Sequence, residues 1–152
     1  MIRLRDGYWR VRAEAAGALA ALADPSVTAQ LFRAADDKDD YVRMQILGAI
    51  LRVAHPSQAE IYLDLLESDN LPKHTAAALA LGKIRHPSAV TALLELLKDK
   101  HNPERLQVAQ MLGNFEPDPV KFPLEALLKS ERNPKVKAVL QNHFERTKKK
   151  SS

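Results

Sequence analysis

The feature of this sequence that most restricts its fold is a period of 31 residues marked by proline. Prolines 25, 56 and 87 are 31 residues apart, and prolines 72, 103 and 134 have the same spacing. Other positions recur with this period, among them the apolar residues Leu31, Tyr62, Leu93 and Leu124. A fixed period of about 20 to 50 residues is typical of proteins built from stacked structural repeats. The sequence therefore predicts an elongated array of short, similar layers.

Each repeat contains two amphipathic helical patterns. In the second repeat, the positions that share one helix face are Val42, Ile46, Ala49, Ile50 and Val53. This first helix ends before a proline, because the residue preceding proline is disfavoured in helical geometry. Ser26, Ser57 and Ser88 follow the prolines and are expected to cap or open the second helix. Since neither helix can bury its apolar stripe alone, neighbouring repeats must stack.

The period divides the chain into four helical hairpins and a final helix, which together form a single predicted domain at residues 1–147. The hairpins are expected at about 8–37, 38–69, 70–100 and 101–131, with a capping helix at 134–147. Residues 1–6 match the end of a second helix and are interpreted as the remnant of a preceding helix. The chain is then expected to be the C-terminal part of a larger repeat protein, or to begin on an uncapped end that packs on another subunit. Residues 148–152 are predicted to be a disordered basic tail.

One stretch carries a family resemblance. The pattern Ala-Leu-Gly-x-Ile-x-His-Pro-x-Ala-Val-x-x-Leu-x-x-Leu-Leu-Lys-Asp at residues 80–99 resembles the HEAT repeat, and more narrowly the short repeats of phycobilisome-lyase-type HEAT-like proteins. The resemblance implies an all-α, armadillo-like fold, namely a right-handed α-solenoid. It also implies a protein-binding scaffold whose concave face is lined by the second helices. The narrower resemblance implies one alternative function, a bilin-lyase-like chaperone of a phycobiliprotein.

Composition and charge limit the classes of function. The 152 residues include no cysteine, which excludes disulfides, thiolate metal sites and cysteine nucleophiles. No run of about 18 apolar residues and no apolar leader occur, so a cytoplasmic protein without membrane contact is expected. Residues 129–152 hold eight basic and two acidic residues, whereas the rest of the chain holds 15 and 17. Nucleic-acid binding is therefore disfavoured, because it calls for positive charge across the body.

No pattern in the sequence indicates catalysis, a cofactor or a metal. Phosphate-binding glycine loops, nucleophile elbows and zinc-binding histidine motifs are all absent. A further column consists of Arg12, Arg43, His74 and Arg105. Two interpretations apply to it: a basic surface for phosphate or an acidic partner, or a structural ladder that pairs with nearby carboxylates such as Asp24, Asp39 and Asp40. The structural interpretation is favoured, because evenly repeated charges on stacked helices usually stabilise the stack.

The predicted partner-binding surface is the outward side of the second helices. Its residues are Arg33, Glu60, Asp64, Thr91, Glu95 and Phe122. Because the middle of this surface is acidic, it suits a basic or amphipathic segment of a protein partner and repels nucleic acid. The sequence thus predicts a non-catalytic interaction scaffold. A nucleic-acid-binding HEAT module and a rigid spacer within a larger protein are the further alternatives.

Overall fold

The computed structural model describes residues 3–118 and 122–150, and the regular structure within these ranges is helical. The α-helices of the described residues are α1 (Trp9–Leu22), α2 (Thr28–Arg33), α3 (Asp40–Val53), α4 (Ala59–Leu66), α5 (Leu71–Lys83), α6 (Ala89–Lys98), α7 (Arg105–Leu112), α8 (Leu124–Ser130) and α9 (Pro134–Lys150). Short 3-10 turns at Pro25–Val27 and Pro56–Gln58 precede α2 and α4. In these two ranges, extended pairing is limited to an isolated bridge between Asp118 and Phe122. The prediction of an all-α fold is confirmed.

The helices form two compact units, Met1–Ile84 and Arg85–Ser152. In the N-terminal unit, the first helices of successive repeats pack on one another, α1 on α3 and α3 on α5. The second helices α2 and α4 pack on α3 and α5, respectively. In the C-terminal unit, α7 packs between α6 and α9, and α9 also covers α8. No helix of the described residues is both long and apolar enough to cross a bilayer.

The core of the N-terminal unit is formed by the apolar faces that the periodicity indicates. The five predicted positions on α3, Val42 to Val53, are each at most 2% exposed. In α5 the run from residue 75 to residue 82 is buried, and most of it is alanine or leucine. Small side chains allow helix axes to approach closely, and burial of the leucines supplies about 25 cal/mol for each Å² removed from water.

The turn between the two helices of a repeat is capped by the residue before the proline. The acceptors are Asp24 Oδ1 for Ser26 N–H (2.9 Å), His55 Nδ1 for Ser57 N–H (3.2 Å) and His86 Nδ1 for Ser88 N–H (3.3 Å). The serines thus provide the capped N–H groups, and the side chain of Ser88 makes no cap bond of its own to α6. The capping role predicted for the serines is performed by Asp24, His55 and His86. Their side chains supply the hydrogen-bond acceptor that the start of a helix needs.

Both ends of the chain differ from the sequence-based expectation. Residues 3–6 form a turn closed by a hydrogen bond from Asp6 N–H to Arg3 O, while residues 1–2 of the predicted helix remnant lie outside the described residues. At the other end α9 continues to Lys150, so the prediction of a disordered tail was wrong for residues 148–150; residues 151–152 lie outside the described part. Lysines are favourable at a helix C-terminus, and Lys150 Nζ also lies 3.0 Å from Glu116 Oε1.

Candidate functional site

The column formed by Arg12, Arg43, His74 and Arg105 joins the start of each first helix to the backbone that precedes it. Each side chain donates a hydrogen bond to a carbonyl six or eight residues earlier. The bonds are Arg12 Nη1 to Asp6 O (2.8 Å), Arg43 Nη1 to Asp37 O (2.6 Å), His74 Nδ1 to Leu66 O (2.7 Å) and Arg105 Nε to Leu97 O (2.9 Å). Carbonyls at the end of a helix lack a helical N–H partner. Leu66 O and Leu97 O are such carbonyls, in the last turns of α4 and α6, and the column supplies their missing donors. Asp6 O and Asp37 O belong instead to the loops before α1 and α3.

The first and last members of the column also form forked ion pairs. Arg12 Nε and Nη2 donate to the two carboxylate oxygens of Asp37 at 2.6 and 2.9 Å. Arg105 Nη2 and Nη1 donate to those of Glu131 at 2.5 and 3.4 Å. The partners are 25 and 26 residues apart in sequence, so the fourth repeat holds one more residue between equivalent positions. The Arg105 and Glu131 side chains are only 12% and 8% exposed.

The protein environment lowers the pKa of both carboxyls. Burial by itself would raise the pKa of Glu131, but hydrogen bonds from Asn133 N–H and from the Arg105 side chain outweigh that effect. For Asp37, burial is likewise opposed by the Arg12 side chain and by Asp39 N–H, and the pKa falls. Since these groups hold protons less readily in the folded chain, their stabilising effect is present at neutral pH and is lost as the pH falls through the carboxyl range.

Arg43, the second member of the column, has a weaker acidic partner. Arg43 pairs with Asp40, whose side chain is almost fully exposed, and such a surface pair contributes little to stability. The other two carboxylates that the sequence suggested as partners have different roles. Asp24 caps the turn before α2, and Asp39 accepts from Tyr41 N–H and Val42 N–H at the start of α3.

Five of the six predicted partner-binding residues are exposed on second helices. In the N-terminal unit these are Arg33 at the end of α2 and Glu60 and Asp64, one turn apart on α4. In the C-terminal unit they are Thr91 and Glu95, one turn apart on α6. Each pair therefore forms a stripe along the outer side of its own helix.

The structure adds Glu67 to the stripe on α4. This exposed residue follows the last residue of the helix and extends the spacing from Glu60 and Asp64 to i, i+4, i+7. Among the residues that the structure describes, none of the three carboxylates has an ion-pair partner. Sequence reasoning missed Glu67, although the 31-residue period aligns it with Asp36 and Lys98, which are also exposed. We refer to Glu60, Asp64 and Glu67 as the acidic stripe.

The sixth predicted binding residue, Phe122, is not on the surface. It is 1% exposed and stacks on the imidazole of His143 in α9, with ring centroids 5.7 Å apart and planes 17° apart. The prediction was wrong because α8 begins only at Leu124, after Pro123. Phe122 therefore precedes the helix and fills the core beneath α9.

His143 is 4% exposed, and its environment lowers the pKa of the imidazole. Burial is the main cause, and the positive charges of Arg146 and Lys150 act in the same direction. The carbonyl of Phe115 and the carboxylate of Glu116 oppose the shift without reversing it. His143 is therefore a neutral core residue stacked on Phe122 at neutral pH.

We expect the free energy of unfolding to decrease as the pH falls below about 6.5, the ordinary pKa of histidine. In that range the unfolded chain binds a proton at His143 that the folded chain does not, so the unfolded state gains stability. Urea denaturation at several pH values between about 7.5 and 5.5 tests this. His143→Gln should flatten the dependence, whereas the exposed control His101→Gln should keep it. An unchanged slope in His143→Gln would contradict the assignment.

Three of the other four histidines are engaged in local contacts. His55 and His86 cap turns, and His74 bonds to Leu66 O. Within residues 3–118 and 122–150, no three histidine, aspartate or glutamate side chains come together in a group that could bind a metal ion.

The fold and the repeated capping and column contacts define an all-α repeat protein of the α-solenoid class. The sequence model that describes HEAT repeats matches residues 1–78 and again residues 63–142. The chain therefore belongs to the HEAT-repeat family, as the pattern at residues 80–99 predicts. HEAT repeats generally serve as protein-interaction scaffolds and are typically not enzymes. No match was found among curated proteins. The narrower lyase-type resemblance stays a prediction.

Proposed function

We propose that this chain is a non-catalytic scaffold that binds a basic or amphipathic segment of a partner protein through the exposed stripes of its second helices. The observation that carries the proposal is the acidic stripe. Its three carboxylates lie along one side of α4, exposed and without ion-pair partners among the described residues. Half-buried Leu63 lies on the same helix and offers an apolar contact. A helix with lysine or arginine on one side and apolar residues beside them complements this surface.

The position of the acidic stripe on α4 supports a role in binding. Asp64 and Glu67 are in the last turn of the helix and immediately after it. The helix dipole places partial negative charge at this end, so carboxylates there are unfavourable for the free helix. A cationic partner would neutralise them. These two carboxylates therefore cost the unbound chain some stability and favour the bound state, whereas Glu60, in the first turn of α4, is favourably placed in both states.

The other second helices contribute less charge. On α6, Glu95 is accompanied by the cation Lys98 in the last turn, with Thr91 one turn before Glu95. Arg33 on α2 is basic. We therefore infer that α4 provides the main electrostatic contact and that α6 adds polar and apolar surface through Thr91 and half-buried Leu94.

We further propose that the column of Arg12, Arg43, His74 and Arg105 has a structural role. Its donors are engaged with backbone carbonyls that precede each first helix, and two of its members hold carboxylates in low-exposure pairs. A guanidinium held in this way has few donors left for a phosphate.

Reversing one charge of the acidic stripe should weaken partner binding. Asp64→Lys is expected to reduce the affinity for a synthetic leucine-lysine amphipathic peptide about tenfold, because a favourable charge contact becomes a repulsion. Fluorescence anisotropy with the labelled peptide measures the effect. Glu14→Lys is the matched control: it makes the same charge change at an exposed position on α1, and it should change affinity less than about twofold.

A pull-down from cell extract extends the test to natural partners. The triple variant Glu60→Lys, Asp64→Lys, Glu95→Lys should lose proteins that the wild-type chain retains. If the triple variant recovers the same proteins, or if Glu14→Lys weakens the peptide as much as Asp64→Lys does, the second-helix surface is not the binding site.

A further inference from the structure

The N-terminal unit contains an open cavity that the acidic stripe does not use. Its volume is about 650 Å³, and it lies between the turn at residues 4–7, the end of α2 with the loop at 34–38, and Lys73 of α5. Ligand sites commonly have volumes of about 300 to 1,000 Å³. Its lining includes five basic and three acidic side chains, a net charge of +2.

The three acidic side chains of the cavity already have partners. Asp37 accepts from Arg12 (2.6 and 2.9 Å) and Asp36 from Lys73 and Asn70 (both 3.3 Å). Asp6 accepts from Tyr8 N–H (2.9 Å) and pairs with Arg3, a cation outside the lining, at 3.5 Å. Arg12 and Lys73, two of the five cations, are balanced by these pairs. The carboxylates therefore do not compensate the other three basic groups of the lining.

Those three groups are Arg5, Arg33 and Lys38. All three residues are exposed, and none forms an ion pair within 4.0 Å among the residues that the structure describes; Lys38 acts on the carboxylate of Asp37 only from a longer distance. Buried Leu4 and Ala34 add apolar surface to the same lining. Three uncompensated cations around one concavity raise the local potential and attract an anionic group.

We propose that this cavity binds an acidic segment of a protein, whose aspartate or glutamate side chains pair with Arg5, Arg33 and Lys38. The planar guanidinium groups of the two arginines match carboxylates in a two-bonded geometry. The apolar part of the lining accommodates the aliphatic portion of the segment. The site is independent of the acidic stripe, since it selects the opposite charge.

A peptide fits this cavity better than a nucleic acid. A phosphate chain requires a long, continuous basic surface, and its affinity depends on several neutralised phosphates. Here the unpaired cations surround a single concavity and do not form such an extended surface. A short acidic segment needs only the three free cations.

Binding of fluorescein-labelled hexaglutamate to the full chain tests the proposal. The double variant Arg33→Gln, Lys38→Gln should weaken binding about tenfold, because two of the three unpaired cations are removed. The control Arg52→Gln, Lys83→Gln removes the same charge from exposed positions of the same unit and should weaken binding less than about twofold. In NMR spectra, the peptide should shift the amide signals of Gly7 and Ala34.

The proposal would be overturned if hexaglutamate did not bind, or if the two double variants lost the same amount of affinity. It would also be overturned if a hexathymidylate oligonucleotide bound more tightly than hexaglutamate and the Arg33, Lys38 variant weakened binding of the oligonucleotide. The last outcome would identify a nucleic-acid site. Circular dichroism confirms that the variants remain folded. The leucine-lysine peptide should bind the single variant Lys38→Gln, which changes no residue of the second-helix surface, as it binds the wild type, so this test and that of the acidic stripe fail separately.

Discussion

Replacement of Phe122 with alanine is expected to reduce the free energy of unfolding by about 3 to 5 kcal/mol, the range for a large aromatic residue removed from a packed core. The ring is 1% exposed and is stacked on His143, so truncation leaves a cavity and also removes an aromatic contact. Urea denaturation followed by circular dichroism measures the loss. Phe122→Leu refills much of the space and should cost less than Phe122→Ala.

Thr91→Ala is the informative control, because sequence periodicity places Thr91 and Phe122 on the same outward column. Thr91 is exposed on α6, and its truncation should change the free energy of unfolding by less than about 0.5 kcal/mol. If instead Phe122→Ala retained full stability and weakened partner binding, the aromatic ring would belong to the surface, and its packing against His143 would be incorrect.

The second large effect is expected for Arg105→Ala, which should cost about 2 to 3 kcal/mol. The substitution removes the donors that serve both Leu97 O and the Glu131 carboxylate, and it leaves a poorly hydrated charge without its partner. Arg105→Lys keeps the charge but lacks the fork of donors, so an intermediate loss is expected. Arg132→Ala, an exposed neighbour of Glu131, is the control and should have little effect.

The pH dependence of this substitution provides a second readout. Arg105 contributes to the lowered pKa of Glu131. The difference in stability between wild type and Arg105→Ala should therefore be largest near neutral pH and should shrink as the pH falls through the carboxyl range and Glu131 becomes protonated. Equal stability of the two proteins at pH 7 would show that the ion pair contributes nothing to the fold.

The helices could be predicted from the sequence because their signals are local. The helical spacing of apolar positions in α3 and the end of each first helix before a proline depend on residues within one or two turns, and the 31-residue period repeats these local signals. The position of Phe122 before α8 is set by Pro123, but its burial requires the contact with α9, which no local pattern describes. Glu67 was missed for a different reason: it lies just beyond the last residue of α4, where helical periodicity no longer assigns a residue to a helix face.

The basic cavity illustrates a limit of counting charges along the chain. Residues 1–128 are close to neutral in total, which suggested that positive charge is confined to the C-terminal end. Folding brings Arg5, Arg33 and Lys38 to one cavity while the nearby carboxylates are occupied by other partners. Such a local excess of charge arises because the carboxylates pair with other residues in the folded chain. No spacing of residues in the sequence predicts it.

Each first helix is hydrogen-bonded to a carbonyl only six or eight residues before it. The joint between repeats is therefore local in the sequence. All the atoms of the joint belong to one short stretch of chain, so a duplicated 31-residue segment would carry its own joint. A lengthened version of this protein, made by copying residues 37–67, which include both Asp37 and Arg43, should therefore fold with the added hairpin in the same geometry as its neighbours.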